Sequence, residues 1–134
     1  MPSNSIVDSG TNCLDMSSQM LDAMLSRFTA QQHQLLTQAI DEEKPVAVAE
    51  LRLEQWPAIT FVLEGETGDV RLEVPPANYW QVNSQEVGFA TAAITRGQPG
   101  IALLGLPLMN GYFTIFDGEA DGGRGVIKFA TSKR

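Results

Sequence analysis

The chain has 134 residues, 43% of them hydrophobic and 19% charged, the composition of one globular domain able to bury a core without disulfide help. Its 9 Lys and Arg stand against 16 Asp and Glu, for a net charge of −7, so nucleic acid and anionic membranes are excluded as partners, and few bases remain to repel one another in acid. No stretch approaches the roughly 18 apolar residues of a membrane span, and Met1-Pro2-Ser3-Asn4-Ser5 lacks the basic and apolar parts of a signal peptide, so a soluble chain of unassigned compartment is expected.

In chain order, Ser5-Ile6-Val7-Asp8 is a short apolar stretch stopped by Ser9-Gly10-Thr11, a strand running into a turn. From Ser17 or Ser18, the residues Met20, Leu21, Met24, Leu25 and Phe28 recur at helical spacing and predict an amphipathic helix whose Met and Leu stripe is core. Thr29 with Gln32 three residues on has the form of a capping box, opening a second helix through Leu35, Leu36 and Ile40. After the charged run Asp41-Glu42-Glu43-Lys44 the pattern turns to β. Residues 58–63 are apolar and β-branched, Gly65-Glu66-Thr67-Gly68 makes a turn, and Val70, Leu72 and Val74 alternate with Arg71 and Glu73 as in a half-buried strand. Pro75-Pro76 ends that strand and Asn78-Tyr79-Trp80 follows in a tight turn. Further strands are expected at residues 87–94, 101–104, 112–116 and 126–129, with turns at Gly97-Gln98-Pro99-Gly100 and in the glycine-rich stretch 117–125. Many short strands with two helical insertions predict a mostly-β domain of antiparallel or orthogonally packed strands.

Asp8-Ser9-Gly10-Thr11 alone reads as a turn, but its surroundings carry more. Ile6-Val7-Asp8-Ser9-Gly10-Thr11 has the form hydrophobic-hydrophobic-Asp-Ser/Thr-Gly-Thr/Ser. Downstream come Leu103-Leu104-Gly105, Leu108 and Gly111-Tyr112-Phe113-Thr114-Ile115-Phe116-Asp117. Also present are Trp56-Pro57-Ala58-Ile59-Thr60-Phe61-Val62-Leu63, Val74-Pro75-Pro76-Ala77-Asn78-Tyr79 and Val126-Ile127-Lys128-Phe129-Ala130. In this order, over nearly the whole chain, these segments resemble the C-terminal lobe of the pepsin-like aspartic proteases.

The resemblance implies an acid-protease C-terminal lobe spanning residues 1–134, without the N-terminal lobe and without the first strands of its own lobe. It implies an endopeptidase that hydrolyses peptide bonds with a pair of aspartates and needs no cofactor or metal. Two carboxylates close enough to share a proton titrate apart, so one acts as base and the other as acid on a water between them. Asp8 is the carboxylate this chain would supply. Gly10 would let backbone and substrate approach closely, Ser9 would hydrogen-bond across the lobe interface, and Thr11 would donate its hydroxyl to the outer oxygen of Asp8. Asn12 would line the cleft and Ile6 would face a pocket for the primed side of the substrate. The hydrophobic-hydrophobic-Gly run Leu103-Leu104-Gly105 would thread beside the catalytic loop.

The chain also departs from the family. Leu106 stands where pepsins commonly have Asp. Cys13 is the single cysteine, so the disulfide of secreted pepsins cannot form, which implies a bacterial or otherwise disulfide-free branch. No second Asp-Thr/Ser-Gly and no tyrosine-bearing flap is present; Tyr79 and Tyr112 match structural positions. The partner completing the site is therefore expected to be an N-terminal lobe, with the isolated chain inactive. Alternatives are a second copy of the chain, as in retroviral proteases, or a non-catalytic lobe that binds peptides or proteins.

Other polar candidates are weaker. His33 lacks a nucleophile or acid partner and is expected on a solvent-facing helix side. Asp117-Gly118-Glu119-Ala120-Asp121 lacks the ligand spacing of a calcium loop. Cys13, with no basic neighbour, is expected to be a small buried hydrophobe.

Overall fold

The computed structural model describes residues 4–65, 68–117 and 126–131. Strands β1 (Asn4–Val7) and β2 (Leu14–Ser17) flank the loop that holds Asp8. Helices α1 (Ser18–Leu25) and α2 (Ala30–Asp41) follow directly. Both start where a side chain satisfies free helix amides. Ser17 Oγ accepts from the Met20 N–H at 3.3 Å. Thr29 and Gln32 exchange side-chain to backbone bonds of 3.2 Å each, the capping box expected from sequence. Leu21, Leu25, Leu35 and Leu36 are the buried stripe, with Met20, Met24 and Phe28 packed beside it.

The chain then runs through β3 (Val46–Ala47), the single-turn α3 (Val48–Leu51) and a 3-10 turn at Leu53–Gln55. Arg52 joins the last two in the left-handed region, at φ 49°. Hairpin β4 (Ile59–Gly65) and β5 (Gly68–Val74) follows, then the single-turn α4 (Pro76–Tyr79), β6 (Trp80–Val82), β7 (Phe89–Ala92), β8 (Ile94–Gly97) and β9 (Ile101–Leu104). The single-turn α5 (Leu106–Met109) leads to the closing hairpin, β10 (Tyr112–Asp117) and β11 (Val126–Thr131). The turn Glu66-Thr67 and the stretch 118–125, with its rejected calcium loop, lie outside the described residues.

The result is mostly β, as expected. Short helices α3, α4 and α5 join the two helical insertions read from sequence. One strand expected over residues 87–94 is instead two. Asn83 (φ 60°) and Gly88 (φ 87°) hold a left-handed turn closed by the Gly88 N–H donating to Asn83 Oδ1 at 2.7 Å, so the strand starts only at Phe89. It then changes sheet at buried Ala93, whose N–H donates to the Tyr79 carbonyl while its own carbonyl accepts from Leu14.

Strands β3, β7 and β6 form one antiparallel sheet, and the Asp8 sheet has the order β1-β9-β2-β8. In the latter, β9 lies between the two strands flanking the Asp8 loop, parallel to β1 and antiparallel to β2, and β8 runs parallel to β2. These parallel pairings add to the antiparallel arrangement expected from sequence. Leu14, Met16, Ile94, Ala102 and Leu104 present one face of this sheet to the core below α1 and α2. Arg96 fastens both helices to β8, with Nε and a terminal nitrogen on Asp41 at 2.9 and 3.1 Å and the other on Asp22 at 3.2 Å.

Candidate active site

Alternation of small polar residues and glycine after β1 makes a tight loop at the sheet's end. The Asp8 N–H donates to the Leu104 carbonyl at 3.1 Å, carrying the β1–β9 ladder one residue further. The Thr11 N–H then returns to the Asp8 carbonyl at 3.2 Å and closes a turn. Within it the Asp8 carboxylate is gripped from both sides. Thr11 Oγ1–H donates to Oδ2 at 2.7 Å, and the Gly10 N–H donates to Oδ1 at 2.9 Å. Both bonds favour the charged form, so the Asp8 carboxyl is held below the ordinary carboxylate range, chiefly by the Thr11 hydroxyl, next by the Gly10 amide, with slight opposition from desolvation.

The loop is braced by residues much later in the chain. The Leu106 N–H donates to the Thr11 carbonyl at 2.9 Å. At Gly105 a Cβ would run into the carbonyl oxygens of Thr11 and Cys13, so only glycine lets β9 pass this close. Leu106, where the resemblance set an Asp, thus contributes its backbone to the loop. At Gly10 an added Cβ would stand 3.3 Å from Asp8 Oδ1, a tight fit against the carboxylate.

Of the residues singled out from sequence, Asp8, Gly10 and Thr11 meet in this hydrogen-bonded unit. Ser9 and Asn12 are exposed beside it, and Ile6, 49% exposed, stands two residues back on β1. His33 is exposed on α2. Cys13 departs from expectation. It is only half-buried, with Sγ 3.5 Å from Thr95 Oγ1, because its position falls at the mouth of the sheet and not over the core. Among the described residues no group of three or more His, Cys, Asp or Glu is placed to hold a metal ion, and no helix is long and apolar enough to cross a membrane. A hollow of about 460 Å³ between residues 29–35 and 50–55 lies on the helical side and includes none of the loop residues.

A carboxylate kept ionised by two donors at the open end of a sheet can serve as a base toward water. The family comparison agrees with that chemistry: the model of the eukaryotic aspartyl proteases matches residues 2–130. The chain belongs to the eukaryotic aspartyl protease family. No curated protein matches the chain. As an aspartyl protease of pepsin-like type it is a hydrolase of proteins, and its mostly-β fold is that of a pepsin-like lobe. Sequence reasoning missed strand β2 beside the Asp8 loop, although the alternation of Leu14, Asp15 and Met16 was the available signal.

Proposed function

We propose that this chain is the C-terminal lobe of a two-lobed aspartic endopeptidase and that Asp8 is one member of its catalytic pair. The observation that carries the reading is the double grip on Asp8 by Thr11 and Gly10, which keeps the carboxylate charged and its position fixed. In this reading Asp8 begins the cycle ionised and takes a proton from a water lying between it and a protonated partner aspartate. The water attacks the peptide carbonyl, and the partner's proton passes to the carbonyl oxygen. The gem-diol then collapses with cleavage of the C–N bond: the leaving amine takes the proton held by Asp8, a gem-diol hydroxyl returns its proton to the partner aspartate, and the pair is back with Asp8 ionised and its partner protonated. Ser9 faces the other lobe, Gly10 and Asn12 lie along the substrate backbone, and Ile6 meets a side chain beyond the scissile bond. The chain bears a single Asp-Ser/Thr-Gly, so by itself it lacks turnover.

The test is proteolysis of an unfolded protein in acid by the chain together with an N-terminal lobe bearing the second aspartate. Asp8→Asn is expected to lower cleavage by about 10³-fold or more, since the general base is lost, and to abolish tight binding of a statine-type transition-state mimic. Full activity in Asp8→Asn overturns the reading. Activity of the chain alone, tracking a dimer in sedimentation, replaces the N-terminal lobe with a second copy. Peptide binding without turnover in any assembly, equal in wild type and Asp8→Asn, identifies a non-catalytic lobe.

A further inference from the structure

Across the Asp8 sheet, register sets four residues in one row. Ile6 pairs with Leu103, Leu103 with Asp15, and Asp15 with Thr95. Paired residues in a sheet point to the same side. The alternate residues Leu14, Leu104 and Ile94 are buried in the core, so this row lies on the outer face. Ile6 and Thr95 are exposed there, and Leu103 and Asp15 are half-buried. Asp8 follows Ile6 by two residues on a ladder that still bonds to β9, and so stands at the end of the same face.

Asp15 is held in place on this face. Thr95 Oγ1–H donates to its Oδ1 at 2.8 Å. Gly97 backs the carboxylate so closely that an added Cβ would stand 2.5 Å from Oδ1. No Lys, Arg or His among the described residues forms an ion pair with it. Arg96, the next residue after Thr95, turns to the opposite side of β8 and is engaged by Asp22 and Asp41. An oriented carboxylate with no cation paired to it among the described residues, beside the apolar Ile6 and Leu103, suits a long cationic side chain. The methylenes can lie on the apolar ground while the charged head reaches the carboxylate.

We propose that Asp15 is a specificity residue that favours substrates with Lys or Arg near the scissile bond. The proposal rests on reading Asp8 as the catalytic carboxylate. Asp15 lies two strands across and two residues along from Asp8, about 12 Å at sheet spacings. An extended peptide advances about 3.4 Å per residue, so the favoured base falls about two to four residues from the bond cut.

Matched peptides carrying Lys, norleucine or Glu at each such position test this, with the chain assembled with the half that completes its pair. One position is expected to favour Lys over norleucine by about five- to tenfold in kcat/KM, as for a charge-assisted contact at a part-exposed site. That ratio is expected to fall close to one in Asp15→Asn, which keeps an acceptor for Thr95, and to turn toward Glu in Asp15→Lys. Raising salt from 50 to 500 mM is expected to compress the wild-type ratio. Cleavage with ratios identical in wild type and both variants overturns the proposal and leaves Asp8 in its role. Failure of every assembly to cleave overturns the reading of Asp8 instead. Asp15 is then judged by binding of the same peptides: loss of Lys preference in Asp15→Asn supports it, and equal binding sinks it.

Discussion

Two parts of the molecule are built to opposite standards. Beneath α1 and α2, Trp56 packs against Phe28, Tyr79 and Trp80, with ring centroids 5.5, 6.4 and 5.2 Å away. Its indole N–H donates to the Leu51 carbonyl at 2.6 Å, and the Tyr79 hydroxyl donates to the Pro57 carbonyl at 2.7 Å. Burial pushes the Tyr79 hydroxyl pKa up, so it stays a neutral donor. The sheet bearing Asp8 shares that core through one face only. Its other face leaves Ile6 and Ile101 49% and 40% exposed, and β1 has β9 as its one neighbour among the described residues. On the aromatic side the Trp56 and Tyr79 polar groups are engaged within the packing itself, while the buried Trp80 indole N–H has no hydrogen-bond partner among the described residues. The Asp8 side directs its polar groups at one carboxylate and leaves the surrounding surface free to meet something else.

The sharpest measure of this difference is native-state hydrogen exchange. Amides of β2 and β7 lie in paired, core-backed strands and are expected to open only with the whole fold, at about 5 kcal/mol or more. Amides of β1 are expected to exchange at least about 10³-fold faster, because opening β1 exposes little core. Equal protection of β1 and β2 would erase the distinction drawn between the two regions. Next in size is Trp56→Ala. Removing the ring that joins Phe28, Tyr79 and Trp80 is expected to cost about 3–5 kcal/mol in chemical denaturation. A loss below about 1 kcal/mol would mean that the aromatic cluster is not where stability resides.

What could be read from sequence divides along the same line. The capping box of Thr29 and Gln32 and the alternation of Val70, Leu72 and Val74 were legible because their causes lie within a few residues. The turn Asp8-Ser9-Gly10-Thr11 was legible as a turn for the same reason. Strand β2 was not, because Leu14, Asp15, Met16 and Ser17 become a strand only by pairing with β8 and β9, far along the chain. Nor was the sheet change at Ala93, which depends on Tyr79 and Leu14 meeting it from two sides. The need for glycine at position 105 entered only through family resemblance, since the carbonyls that forbid a Cβ belong to Thr11 and Cys13.

On the Asp8 side, Thr11→Val separates tuning from folding. It removes the largest cause of the lowered Asp8 pKa and leaves the Gly10 amide in place. The folded-state pKa of Asp8 therefore rises toward its unfolded value. On the proposed two-lobed reading, in which Asp8 must be ionised for catalysis, the acid limb of the pH–rate profile is expected to move to higher pH. The stability Asp8 contributes is present above its unfolded pKa, near 4, and fades as pH falls through its lower folded value; Thr11→Val narrows that interval. An unmoved acid limb would show that the hydroxyl does not tune the carboxylate.

The smallest effect tests how the two regions are joined. Arg96 reaches from the Asp8 sheet to both helices, and its guanidinium bonds hold the Asp41 carboxyl below the ordinary range, against a desolvation cost. Because the folded pKa is lowered, this clamp is fully present above the unfolded value near 4 and weakens as pH falls through the folded one. The Arg96 and Asp41 side chains are 31% and 35% exposed, so solvent screening keeps the contribution to about 0.5–1 kcal/mol. Arg96→Met preserves the aliphatic stem while removing the charge. It is expected to lower stability by that amount at pH 7, and by less at pH 2, toward which the Asp41 carboxyl loses its charge. Urea denaturation of the two proteins at both pH values measures the difference. The same loss at both would assign the effect to packing of the stem, and the helices would then be fastened to the Asp8 sheet by apolar contact alone.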